Sequence, residues 1–289
     1  MPPVRAQLLF VVTLLGSGCA LWSPVTIARD VGMTGWFRAD ASLQWQPVDK
    51  DTSCEALRAE ATGSEAIVLV PGILGDGPEI DTVTRILTRD ASPTLFMYRW
   101  VPWQERDRIA GDFAAGVSHL LACAPWLEGH LLVLAHSVGG VVVGYGATRI
   151  RLPVLEREEP AFRVVTVASP MAGMGDRPPK PDGSSQAVFL FDLGTHLKSY
   201  PVAPRSVETV HLRTHFPHDP SMKPTAHHAP NDSGIGIPGA RQVDLPTTLT
   251  HDHALEFAAE RIADGSWRSW FAPDRLSAVG ARADTSAAR

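Results

Sequence analysis

An α/β fold built on a mostly parallel sheet, with helices on both faces, is what this sequence predicts, and two patterns carry the prediction. From about residue 63 onward, short apolar runs alternate with amphipathic stretches, as expected when parallel strands are joined by helical crossovers. One run, Leu131–Ala135, passes straight into His136-Ser-Val-Gly-Gly140 and a further apolar, glycine-containing stretch. Strand, sharp turn and helix then follow one another without a linker.

The strands are read as Ala66–Val70, Thr94–Tyr98, Leu131–Ala135, Arg163–Ala168 and Val207–Leu212. Each is short, rich in β-branched residues and bounded by Gly, Pro or polar residues, as strands covered on both faces are. Between the second and third, Ile109, Phe113, Val117, Leu120 and Leu121 recur at helical spacing. Leu255, Ala258, Ala259 and Ile262 do the same near the end, after a break at Thr247-Thr248. Ahead of the sheet, Asp51–Ala61 reads as a short helix capped by Thr52 or Ser53, inside an N-terminal extension over 20–62. The segment from about 174 to 206 reads either as a small apolar cap or as a surface loop with one helix. Residues 273–289 are small and polar and are expected to be disordered, which leaves 63–272 as the folded domain.

Length and charge narrow the classes of function. A chain of 289 residues with a formal charge of -5 has room for a sizeable core. It carries no run of Lys and Arg that would track phosphates, so no nucleic-acid partner is expected. Its 11 histidines fall into no zinc-binding spacing, so no metal and no cofactor is expected. Residues 1–19 read as a targeting segment: Arg5, then the apolar stretch Leu8–Leu15, too short to span a bilayer, which takes about 20 residues. Gly16-Ser17-Gly18-Cys19 resembles the lipobox of bacterial lipoproteins, with Gly16 where Leu is usual. That resemblance implies export and a lipidated Cys19 holding the protein to a membrane of the cell envelope. Plain secretion, periplasmic or beyond, and an uncleaved anchor are the other readings. Cys54 and Cys123 are left as a disulfide in an oxidising compartment or as two buried thiols.

The turn after Leu131–Ala135 makes Ser137 the candidate nucleophile. Such a turn holds its serine in a strained backbone conformation, so the residues two before and two after must be small; here they are Ala135 and Gly139, where Gly at both is usual. Attack on an acyl carbonyl develops an oxyanion, which needs backbone N–H groups aimed at it. Val138, just after the serine, offers one. Ile73, in the turn Val70-Pro-Gly-Ile-Leu-Gly75 after the first strand, offers the second; a plain strand-to-loop turn is the alternative.

These segments, with Tyr98-Arg-Trp100 and Thr166-Val-Ala-Ser-Pro-Met-Ala-Gly173, resemble bacterial lipases and esterases of the α/β-hydrolase superfamily over about 66–270. The chain departs from that group at Pro71 and Met171, where the group usually has His. The resemblance implies an α/β-hydrolase fold and a triad in the order Ser, acid, His, cleaving a small-molecule or lipid ester through an acyl-enzyme. In that order the acid is Asp219, beyond the strand ending at Leu212, with Asp232 and Asp244 as rivals. The base is His251, with His253 as second choice, and Asp252 between them reads as a helix cap. Acyl transfer to an alcohol, peptidase or thioesterase chemistry, and an inactive lipoprotein on the same fold stay open, as do acyl length and oligomeric state.

Overall fold

Eight strands form one sheet in the computed structural model, which describes residues 34–48, 52–60, 63–72, 78–90, 93–100, 104–150, 160–169, 206–214 and 240–271. The strands are β1 (Gly35–Ala39), β2 (Trp45–Val48), β3 (Ala66–Val70), β4 (Thr94–Arg99), β5 (Leu131–His136), β6 (Phe162–Val167), β7 (Val207–Arg213) and β8 (Arg241–Asp244). Their order is β2-β1-β4-β3-β5-β6-β7-β8. From β4 to β8 all neighbours are parallel, whereas β1 runs antiparallel to both β4 and β2. The five strands read from the sequence lie where expected to within a residue or two. The segment taken as an N-terminal extension contributes β1 and β2 to the same sheet.

Five α-helices accompany the described strands: α1 (Cys54–Glu60), α2 (Pro78–Thr88), α3 (Arg106–Cys123), α4 (Val138–Ala147) and α5 (His251–Ala263). Ser53 caps α1, its hydroxyl accepting the N–H of Ala56 at 3.2 Å. Cys54 at the start of α1 and Cys123 at the end of α3 are joined by a disulfide, which decides between the two states left open for them.

Side chains alternate across each strand, and the sheet therefore has two separate cores. Val68, Phe96, Val133 and Val164 face α3 and α4, together with Tyr98, Phe113 and Val142. Ile67, Leu132, Leu134 and Val165 face α2 and α5, packing on Ile80, Val83, Leu87, Ala254, Leu255 and Ala258. Both faces are covered, as a parallel sheet requires.

At the start of α5 one expectation is corrected. Asp252 lies inside the helix, in its first turn, and Thr250 is the cap, its hydroxyl accepting the N–H of His253 at 3.4 Å. Asp252 instead places a negative charge near the positive end of the helix dipole. Among the described residues no helix is long and apolar enough to cross a membrane. The leader 1–19, the segment 174–206 and the tail 273–289 lie outside the described residues.

Candidate active site

The carboxyl ends of the parallel strands line up along one edge, with Val70 beside Ala135 and His136 beside Val167. This is the edge at which open α/β sheets bind ligands. β5 ends there at His136, and α4 begins two residues later. Between them Ser137 has φ 52° and ψ -132°, a left-handed backbone conformation that costs a residue with a side chain about 1–3 kcal/mol. The Ser137 N–H still donates to the Val167 carbonyl at 2.9 Å. The chain therefore leaves the sheet at the serine itself, and the strain falls on that one residue.

Gly139 explains why the turn can be so tight. A Cβ there would lie 2.3 Å from the Val70 carbonyl oxygen and 2.4 Å from that of Pro71. The first turn of α4 presses directly on the end of β3. Gly72, on the other side, has room for a Cβ only 3.1 Å from the Cβ of Ser137, so the backbone after β3 runs past the serine side chain. Trp100, buried just beyond β4, donates its indole N–H to the Pro71 carbonyl at 2.9 Å and holds this segment in place. Val138 is the first residue of α4, and the N–H groups of a helix's first turn have no partner inside the helix. Ile73, the other expected donor, lies outside the described residues.

His251 is the first residue of α5, a helix that leans on α2 through Ile80, Val83, Leu87, Ala254, Leu255 and Ala258. Its ring lies 4.6 Å from the His136 ring, centroid to centroid. Its carbonyl is 3.2 Å from His136 Nε2. His251 therefore lies at the corner of the sheet edge where His136 passes into Ser137. His253 is exposed, with Nδ1 2.8 Å from the Thr250 hydroxyl. The expected acid, Asp219, and its rival Asp232 lie outside the described residues. Asp244, the other rival, ends β8 in an ion pair with Arg213 of β7.

Two residues of this corner were not read from the sequence. His136 Nδ1 lies 2.9 Å from Oε1 of Glu79, in the first turn of α2. Burial alone would push the Glu79 carboxyl up, but the hydrogen bond from His136 and the charges of His136 and His251 outweigh it, and the group ends below the ordinary carboxylate range. His136 had a legible signal, because strand alternation puts it on the face of Leu132 and Leu134, where α5 packs. Glu79 had none, since nothing local ties it to a histidine 57 positions along the chain. Among the described residues no cluster of His, Cys, Asp or Glu could hold a metal ion.

No family model matches the chain, and no curated protein sequence matches it. Solved structures do. A Bacillus licheniformis lipase, in its mature form, superposes with a TM-score of 0.51 at 14% identity, covering 81% of this chain and 96% of its own. Lipase B of Aspergillus fumigatus superposes with a TM-score of 0.50 at 13% identity over 75% of this chain, which spans only 58% of that larger protein. At such identity the likeness speaks for architecture alone, and it agrees with a mostly parallel eight-stranded sheet flanked by helices. This chain has the α/β-hydrolase fold.

Proposed function

We propose that the protein is a serine hydrolase of carboxylic esters, with Ser137 as nucleophile and His251 as its general base. The observation that carries the reading is the corner itself. A serine in a left-handed turn at the carboxyl edge of the sheet directly follows His136, whose ring lies 4.6 Å from that of His251, on the chain's last described α-helix. His251 takes the proton of Ser137 as its oxygen attacks the acyl carbonyl, then returns that proton to the departing alcohol. Water, activated by the same imidazole, releases the acid from the acyl-enzyme. Asp219 serves as the acid that orients the imidazole. The N–H groups of Val138 and Ile73 hold the oxyanion, each worth about 3 kcal/mol to the transition state. The lipase among the structural neighbours that this chain matches over nearly its whole length supports ester chemistry of this kind.

Export belongs to the same proposal: Cys19 becomes the lipidated N-terminus of an envelope protein anchored to a membrane. The Cys54–Cys123 disulfide supports it, because such bonds persist where the surroundings are oxidising.

The test is a panel of p-nitrophenyl esters from acetate to palmitate, with Ser137→Ala, His251→Ala and His253→Ala beside the wild type. Hydrolysis by the wild type is expected, with kcat down by about 10⁴-fold or more for Ser137→Ala and His251→Ala and little changed for His253→Ala. A wild type that cleaves no ester in the series overturns the activity. A Ser137→Ala variant as fast as wild type moves the nucleophile elsewhere. Mass measurement of the mature N-terminus decides the anchor, and an unmodified Cys19 removes it.

A further inference from the structure

We propose that His136, braced by Glu79, is a positioning residue: it fixes the first turn of α5 and so sets where the His251 imidazole stands relative to Ser137. The inference rests on the Ser137–His251 reading above and adds to it a device that holds the base.

The geometry points there in three steps. First, His136 is the last residue of β5, and its side chain turns to the α2/α5 face while the chain continues into Ser137. The ring is therefore fixed to the same strand end that carries the nucleophile. Second, it is bonded on both sides: Nδ1 lies 2.9 Å from the Glu79 carboxylate and Nε2 lies 3.2 Å from the His251 carbonyl. The ring thus faces an oxygen acceptor at each of its two nitrogens. Third, the two bonds reach two different helices, α2 and α5, whose packing would otherwise fix only their apolar faces.

The alternative is a buried polar pair that merely completes the core. Its energetics argue otherwise. The side chain of His136 is 6% exposed and that of Glu79 33%. Pairs taken out of water to this degree lose in desolvation about what they gain in attraction, and apolar replacements are often as stable. What the pair does supply is direction. Helix ends fray, and His251 is the very first residue of α5, following a turn at 247–248. The Thr250 cap ties the turn to its own helix, whereas His136 ties it to the strand that bears Ser137. Displacing a catalytic group by about 1 Å costs on the order of 100-fold in rate.

The experiment uses the full-length protein and two replacements that each copy one ring nitrogen. His136→Gln puts an amide near the place of Nε2, keeping the donor to the His251 carbonyl. His136→Asn puts one near Nδ1, keeping only the link to Glu79. His136→Phe keeps the ring without donors. Expected are kcat values about 10- to 100-fold lower for the Asn and Phe variants at near-constant KM, recovery to within about threefold of wild type in the Gln variant, and unfolding temperatures alike in all three. Glu79→Ala lowers kcat by itself but adds nothing on top of His136→Phe, because its effect passes through the ring. Wild-type kcat in the Asn variant overturns the proposal. So does an equal loss in all three variants that follows their unfolding temperatures, which marks a merely structural residue. His251→Ala run alongside separates the two readings. An inactive His251→Ala with a fully active His136→Asn sinks only the positioning role, whereas an active His251→Ala removes the base assignment itself.

Discussion

Two buried histidines stand at nearly the same height on opposite faces of the sheet, and their partners give them opposite characters. His136 ends β5 beside Val167 of β6; His211, on β7, is paired in register with Thr166 of β6. His211 faces the α3/α4 side, where its Nδ1 lies 2.7 Å from the Thr166 hydroxyl, a group that can give or take a proton. Burial, reinforced by the nearby charge of Arg213, brings its pKa down to about 4, so the ring is neutral at ordinary pH. His136 instead meets a carboxylate and a carbonyl, and it links two helices to the end of the strand before Ser137. The chemistry of neighbours, rather than burial itself, decides whether an inward histidine is packing or machinery. The same division runs through the faces that hold them: one is an apolar wall stapled by a disulfide, the other turns polar where it meets the sheet edge.

The comparison breaks most readily on the stapled face, where large losses of stability should leave ester hydrolysis by the folded protein intact. Phe113, fully buried between Tyr98 and Trp36, is the first target. Phe113→Ala should lower the unfolding free energy by about 3–5 kcal/mol in urea titrations. Removing the disulfide with Cys54→Ala and Cys123→Ala should cost about 2–4 kcal/mol, chiefly by releasing a 69-residue separation in the unfolded chain. If either change abolishes turnover in protein that is still folded, the two faces are not separable in the way described.

How much of this was legible in the sequence follows the same division. The central strands β3, β4 and β5 are apolar at nearly every position because both of their faces are covered, and a run of apolar residues is a local signal. β2 and β8 lie at the sheet's two edges, reading Trp-Gln-Pro-Val and Arg-Gln-Val-Asp. Partly exposed edge strands need little apolar sequence and leave little to read. β1 was lost with them because its five residues bury only Phe37. α2 carries a signal, with Pro78 at its start and Ile80, Val83 and Leu87 on one face, but Gly72, Gly75 and Gly77 stand just before it in the sequence and obscure its start. In the candidate site, Ser137 and Val138 are legible because strand, sharp turn and helix are contiguous. The preference for His251 over His253 rests on spacing alone, whereas the contact of His251 with His136, 115 residues distant in sequence, is not a pattern the sequence shows. The Cys54–Cys123 bond and the Glu79–His136 pair are distance facts, which residue patterns do not encode.

Acid sharpens the comparison, because the two faces should respond in different ranges of pH. For His211 the folded pKa of about 4 lies below its ordinary 6.5, so between those values the unfolded chain binds a proton that the folded one refuses. Its neutral ring therefore leaves stability whole above pH 6.5, and stability falls as the pH drops toward 4, by about 3 kcal/mol in all. Glu79 is also depressed, but from an ordinary value of 4.5. Its contribution is present above that value and is lost only as the pH falls through the lower, folded one. His211→Asn, which keeps an amide near Nδ1 to bond Thr166, should flatten the limb between pH 6.5 and 4 and leave the later one in place. Chemical denaturation at half-unit steps of pH checks this, and an unchanged upper limb would take His211 out of the account.

The smallest expected effect tests where the faces meet. Trp100 packs with the α3/α4 core, yet its indole N–H holds the Pro71 carbonyl, and the next residue, Gly72, lies against Ser137. Trp100→Phe keeps an aromatic ring but removes the donor, leaving a buried carbonyl short of a partner at a cost of about 1–3 kcal/mol. Were this bond only packing, unfolding free energy would drop and kcat would not. Because the bond also fixes the backbone leading to the proposed oxyanion donor at Ile73, kcat for a short p-nitrophenyl ester should fall further than the stability loss explains, with KM nearly constant. Steady-state kinetics well below the variant's unfolding temperature distinguish the two. A stable, slow variant means that the apolar face reaches the active corner through this one indole, and a fully active one confines the chemistry to the face of Glu79, His136 and His251.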